Sequence, residues 1–276
     1  LTGQKVIGIY PLLATDQCRL LAVDFDKSDW KNCVTAFSEA CLSLNIPFLV
    51  ERSRSGNGAH VWIFFSEPIA AKQARLMGAG ILDKAMELYP ALDFESYDRM
   101  FPNQDHMPAG GFGNLIALPL QKHARALGNS TFIDSNFNAF TDPWTVLQQT
   151  ELMSSSEVNN IVNELGYNFI EQNQTDVDHE APWVKNIPKK NQKIAGCPDA
   201  IELVFANMIH IPIQTLPSQL IAQLKRLATF SNPRFFKAQA MRFSTTGIPR
   251  HICCARLEGQ YLSLPRGCLT DIIHLL

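Results

Sequence analysis

No apolar run in this chain approaches the ~20 residues that a membrane-spanning helix needs, and the opening Leu1-Thr2-Gly3-Gln4-Lys5 lacks the apolar centre of a secretory signal. Both absences lead to the expectation of a cytoplasmic protein with no membrane partner. Positive charge is not in excess either: 24 Lys and Arg stand against 26 Asp and Glu, a net charge of -2. No global field draws nucleic acid to such a chain, so any phosphate contact has to be local. The seven cysteines include no C-x-x-C pair. That spacing excludes a zinc ribbon, and the thiols are expected to be reduced with no zinc bound. What is present is ordinary soluble composition: 276 residues, 46% hydrophobic and 18% charged, enough for one large domain or two smaller ones without covalent staples. The chain starts without Met and stops inside the apolar run Asp271-Ile272-Ile273-His274-Leu275-Leu276, so it is read as a segment of something longer.

Local pattern gives an ordered alternation in the first half. An apolar strand over about 19 to 26 is followed by a helix capped by Ser28 or Asp29, with Trp30, Val34, Phe37, Cys41 and Leu44 on one face. Residues 47 to 53 and 59 to 65 read as two strands joined by the loop Arg54-Ser55-Gly56-Asn57-Gly58. A second helix is expected from Ile69 to Tyr89, then a fourth strand from Phe94 to Met100. A glycine-rich loop through Gly110-Gly111-Phe112-Gly113 leads to a further strand, Asn114 to Leu118. The order β-α-β-β-α-β makes an α+β fold with a split βαβ sheet, in which the first strand lies between the third and the fourth.

The chemistry concentrates on those strands. Asp24 and Asp26 end an apolar strand, and residues two apart project from one face. Two carboxylates crowded there repel unless a cation neutralises them, so they read as ligands for Mg2+ or Mn2+, or else as a solvated acid pair. His60 reads either as a core residue beside Trp62 and Phe64 or as a phosphate contact. The preceding loop offers backbone N–H groups at Gly56 and Gly58, while Arg52 and Arg54 can donate forked hydrogen bonds to phosphate. Among the acids near the fourth strand, Asp98 is preferred to Asp93, Glu95 and Asp105 because it lies inside the expected strand. One face shared by Asp24, Asp26, His60 and Asp98 is the expectation on which the rest depends.

At these residues the chain resembles the archaeo-eukaryotic primase superfamily, the primase-polymerases, and specifically the primase domain of TOTE conflict systems. The acid pair Asp24-Phe25-Asp26, the small-residue-x-His string Gly58-Ala59-His60 and Tyr97-Asp98 are similar to its three signatures. The strings Ser96 to Asp105 and Gly110 to Gln121 resemble the TOTE type in particular. The resemblance implies an RRM-like catalytic core and template-directed transfer, in which a 3'-hydroxyl attacks the α-phosphate of an NTP or dNTP and pyrophosphate leaves. It implies a two-metal site of Mg2+ or Mn2+ on Asp24, Asp26 and Asp98, and His60 on the triphosphate. It further implies that Arg52, Ser53, Arg54, Ser55, Gly56, Asn57 and Gly58 hold the phosphates, with Gln121 and Arg125 as contacts to nucleotide or template. A single-stranded or primed DNA template is the implied partner, with a helicase domain in the same polypeptide.

The organisation expected is a catalytic domain over 1–150, a helix and linker over 151–196 and a mixed accessory region over 197–276. Thr150 to Leu165 reads as a helix and Thr175 to Gly196 as a linker in which Lys185 to Lys193 is solvated. Pro217 to Leu227 reads as an amphipathic helix, and Ile252 to Leu264 as a hairpin turning at Glu258-Gly259-Gln260. Lys225, Arg226, Arg234 and Lys237 are read as a solvated face or as a grip on template. Two other functional classes fit parts of the pattern: a non-catalytic RRM-like nucleic-acid-binding module, and a metal-dependent glycosyltransferase using a nucleotide sugar.

Overall fold

A computed structural model describes residues 3, 5–26, 28–92, 99–165 and 194–276. Its first part runs β1 (Gly8–Ile9), β2 (Gln17–Phe25), α1 (Trp30–Ser43), β3 (Leu49–Arg52), β4 (Ala59–Ala70), α2 (Ala71–Leu88), β5 (Met100–Phe101), β6 (Ile116–Ala117), α3 (Lys122–Ala126), β7 (Thr131–Ile133), α4 (Pro143–Gln149) and α5 (Ser155–Glu164). The mixed α+β class is as expected. Five strands form an antiparallel sheet in the order β5-β2-β4-β3-β7, so the first long strand does lie between the third and the fourth.

Alternation divides this sheet into two chemically different faces. Leu21, Val23, Phe25, Val50, Ala59, Val61 and Ile63 project into the large core with Phe37, Cys41, Met77 and Leu82 from the helices. Ala22, Trp62 and Phe132 project the other way into a smaller cluster with Ile116 and Leu120. The β1–β6 pair, Gly8 opposite Ala117 and Ile9 opposite Ile116, supplies that second cover. Asp24 and His60 share parity with Ala22 and Trp62, which puts them on this second face, away from α1 and α2.

Four expectations change in detail. The strand expected to stop at Phe65 continues through Pro68 to Ala70, and α2 starts at Ala71. The pairing slips between Cys18 and Leu20, so residues 65–68 bulge out of the ladder, and a residue without an N–H is tolerated where no ladder bond is needed. The expected strand at Asn114 to Leu118 shortens to β6 and leaves the main sheet; the fifth place is taken by β7, whose three residues carry no periodic signal. Asp29 does not cap α1 with its side chain but accepts from the Tyr89 hydroxyl at 3.2 Å. The helix expected from Thr150 starts at Ser155, because Ser154 and Glu157 form a reciprocal capping box. Most of the expected fourth strand, with Tyr97 and Asp98, and residues 175–193 of the expected linker lie outside the described residues.

The remainder comprises β8 (Val204–Phe205), β9 (Ile209–Pro212), α6 (Ser218–Leu227), β10 (Thr229–Ser231), α7 (Pro233–Ala240), β11 (His251–Cys253), β12 (Arg256–Glu258), β13 (Tyr261–Leu264) and α8 (Leu269–Leu275). The expected hairpin is present but shorter, β12 to β13, with Gly259 at a φ of 60° in its turn. His251–Cys253 pairs instead with β10. Leu220, Leu224 and Leu227 of α6 pack on Ile209, Ile211, Leu262 and Leu264. The basic residues of α6 are engaged within the chain, Lys225 fully and the partly exposed Arg226 through ion pairs. Lys225 is buried and donates to the carbonyls of Pro90 and Leu92 at 2.8 and 2.9 Å, and Arg226 pairs with Asp83 at 3.0 Å.

A buried ionic cluster ties α7 and its surroundings to the first part. Asp105 meets Arg75 at 3.0 Å and Arg250 at 3.4 Å, and accepts from Gln239 Nε2 at 2.9 Å. Arg250 also lies over the rings of Phe235 and Phe236. Asp105, a rival to Asp98 in the sequence, is therefore an internal anchor.

Candidate active site

Register builds the site. Asp24 on β2 stands opposite His60 on β4, and His60 stands opposite Glu51 on β3, so three ionisable residues form one row across three strands. His60 Nε2 lies 3.5 Å from Asp24 Oδ1, while its Nδ1–H donates to Glu51 Oε2 at 3.0 Å. Glu51 is 1% exposed, yet its carboxylate also accepts from Trp62 Nε1 at 2.9 Å and from Ser130 Oγ at 3.1 Å. Asp26 follows at the strand end. One Arg99 nitrogen, Nη1, reaches both acids, at 3.3 Å from Asp24 Oδ2 and in close contact with Asp26 Oδ2.

The electrostatics follow from that crowding. Burial pushes the Asp24 carboxyl above its usual range; the charge of His60 opposes this, that of Asp26 reinforces it, and Arg99 opposes it. Burial alone would depress the His60 ring, but the hydrogen bond and charge of Glu51, with the charges of Asp24 and Asp26, outweigh it and raise the pKa. An imidazole held between carboxylates keeps its proton longer and can donate from Nε2 to an anion on the open side.

The loop between β3 and β4 sits against the acids. Ser53 N–H donates to the Gly58 carbonyl at 2.9 Å and Gly56 N–H to the Ser53 carbonyl at 3.0 Å, which closes the turn, and Ser55 Oγ accepts from Asn57 N–H at 3.3 Å. Gly58 packs on the acid-bearing strand so closely that a Cβ there would lie 2.5 Å from the Phe25 carbonyl and 3.0 Å from Asp26 Cα. Gly56 has a φ of +82° and abuts the Asn129 side chain. Arg54 is exposed at the loop.

Other residues singled out in the sequence stand elsewhere. Arg52 pairs with Ala59 and so has the opposite parity to Glu51; its Nη2 donates to the Phe137 carbonyl at 2.7 Å. The Gln121 side chain is spent on backbone, donating to the carbonyls of Ile7 and Leu118 at 2.8 and 2.9 Å. Its backbone N–H donates to Ser130 Oγ at 3.2 Å, joining the Glu51 row from below. Arg125 lies over the Trp144 ring at 5.9 Å. Asp98 is outside the described residues, while Arg99 beside it reaches the acid pair.

Sequence reasoning passed over Glu51 and Arg99. The signal for Glu51 was available: a carboxylate in the apolar run Phe48-Leu49-Val50-Glu51, facing a strand that carries His60. Among the described residues, no group of three or more His, Cys, Asp or Glu side chains is arranged to hold a metal ion. None of the described helices is long and apolar enough to cross a membrane.

The site is thus an antiparallel sheet with an acid pair at the end of its first long strand, a histidine opposite and a glycine loop alongside. Residues 1–161 match the archaeo-eukaryotic primase domain of TOTE conflict systems, and the chain belongs to that family. Membership points to a nucleotidyltransferase, primase-like enzyme that binds nucleotides and nucleic acid. A search of curated proteins finds no match.

Proposed function

We propose that this chain is a metal-dependent, template-directed DNA primase-polymerase built on an RRM-like core, adding NTP or dNTP to a 3'-hydroxyl with release of pyrophosphate. The observation that carries it is the convergence of Asp24 and Asp26 on a single cationic nitrogen of Arg99, with His60 beside them. Two hard oxygen donors that already meet at one positive centre fit Mg2+ or Mn2+ by charge and donor type. Asp24 and Asp26, with Asp98 as the third carboxylate, would hold such ions, which when bound activate the attacking hydroxyl and neutralise the leaving group.

The protein's own residues supply positioning and charge, which is most of what phosphoryl transfer asks of a protein. His60 donates from Nε2 to a phosphate oxygen. The Ser53 to Gly58 turn lies beside Asp26 with the N–H groups of Ser53, Gly56 and Asn57 spent inside it. Of the two glycine N–H groups expected from the sequence, only that of Gly58 is offered to a phosphate, and Arg54 adds a guanidinium from its exposed place on the loop. Arg99, whose Nη1 contacts both acids, would have to release them for cations to be held there. Arg52, on the other parity, acts by fixing the loop's base to the Phe137 carbonyl. Residues 197–276 are proposed as the connector toward a helicase.

The binding-module reading requires aromatic rings open for base stacking at the sheet centre. Trp62 is 1% exposed, covered by Ile116 and Leu120, so that observation favours the enzyme. The test is a labelled template, with and without primer, given each nucleotide type under Mg2+, Mn2+ or chelator. Wild-type chain is expected to extend only with metal, and Asp24→Ala and Asp26→Ala to abolish incorporation with thermal stability retained. Near-normal extension by either variant would refute the assignment.

A further inference from the structure

We infer that Glu51 is a positioning residue for His60, aiming its Nε2 at the incoming triphosphate; this rests on the functional reading just given. Three donors converge on one buried carboxylate: His60 Nδ1–H at 3.0 Å, Trp62 Nε1–H at 2.9 Å and Ser130 Oγ–H at 3.1 Å. Trp62 is itself immobilised in the cluster with Ala22 and Phe132, and Ser130 is buried and accepts from the Gln121 backbone. Glu51 therefore has its own place fixed from two sides, and the third contact transmits that fixity to the imidazole. A carboxylate at 1% exposure is costly to bury and would be replaced without loss by an apolar residue if it only filled space. Its satisfied oxygens instead determine which ring nitrogen of His60 turns inward. Nδ1 is occupied, so Nε2 is left on the side of Asp24 and the loop.

A histidine held this way loses little freedom when a phosphate arrives, and the effect falls on nucleotide binding more than on turnover. Outer partners of a functional histidine are typically worth about 10–100-fold. Glu51→Gln keeps the shape and an acceptor oxygen but weakens the charge-assisted bond, so the fold is retained.

The experiment compares wild type, Glu51→Gln, His60→Ala and the double variant in primer extension, with 15N-histidine NMR of wild type and Glu51→Gln. Glu51→Gln is expected to lower kcat/KM for the nucleotide about tenfold, mainly through KM, with Tm close to wild type. On the His60→Ala background the same change is expected to cost nothing further, since its effect passes through the ring. The His60 Nδ1–H resonance, strongly downfield in wild type, should move upfield in Glu51→Gln. Additive losses in the cycle, or an unmoved resonance, would overturn the inference. A wild-type chain inactive under every condition would overturn the functional reading instead, and the NMR arm then decides the Glu51–His60 link by itself.

Discussion

Replacing Gly58 with alanine would put a methyl group where two stretches of backbone already touch. The added Cβ would lie 2.5 Å from the Phe25 carbonyl oxygen and 3.0 Å from Asp26 Cα. Neither neighbour is the end of a flexible side chain, so the loop and the acid-bearing strand must separate. Overpacking of this kind costs about 1–3 kcal/mol. In a protein of this size each kcal/mol lowers Tm by about 2–4 °C, so Tm should fall by about 2–12 °C. The catalytic consequence should be larger than the thermal one. The displaced atoms carry Asp26 and the turn proposed to hold phosphate, and misplacement by ~1 Å can cost about 100-fold in rate. Differential scanning and primer extension on the same preparation read both effects. Gly267→Ala is the control, because nothing lies within 4 Å of a Cβ there and its φ is not in the left-handed region. A Gly58→Ala variant with unchanged Tm and unimpaired extension would refute the close approach. A lowered Tm with full activity would refute the coupling between loop and acid.

Asp105→Asn should destabilise the chain by about 3–5 kcal/mol in urea titrations, because it strips the charge partner from buried Arg75 and Arg250; a loss under 1 kcal/mol would count against the anchor. The acid response has two stages. His251 is pushed down to about 3 by burial and by the charges of Arg250 and Arg75, so the unfolded chain takes up a proton that the fold refuses, and stability should decline as pH drops below 6.5. Asp105, although burial works against it, is held at about 2 by Arg250, Arg75 and Gln239, so its contribution is complete above 3.8 and is lost as pH falls toward 2. A urea midpoint flat from pH 7 to pH 3 would contradict both. Arg99→Ala should lower severalfold the Mn2+ concentration that half-saturates a thermal shift, since a resident cation no longer competes; an unchanged value would show that Arg99 is not in the way.

What sequence could reveal was set by parity. Apolar runs at 20–23 and 61–65 made the strands evident, and the glycine loop made the hairpin evident, so the Asp24–His60 meeting followed from strand order once one face was assumed. Register was not readable, and that is where Arg52 was grouped with the phosphate contacts: beside Glu51 on a strand, it must face the opposite way. The short strands β1 and β7 carried no period to detect. Lys225 and Arg226 were placed outside because charge on an amphipathic helix usually is; carbonyls left free after α2, and the acids on it, drew them in. For Glu51 the apolar run around it was a readable signal of burial, but its partners at positions 60, 62 and 130 come together only in the folded sheet.

The Asp105 cluster has a practical consequence for anyone trimming the protein. Cutting at residue 161, where the family match stops, would delete Gln239 and Arg250, withdraw the Lys225 ammonium from Pro90 and Leu92, and remove Ala222 from the main core. The shortened product would carry a raw greasy flank and an arginine–aspartate pair opened to water, and it should precipitate where the longer polypeptide stays in solution. The family match stops short of residues that pack into the main core, and expression plasmids should include them.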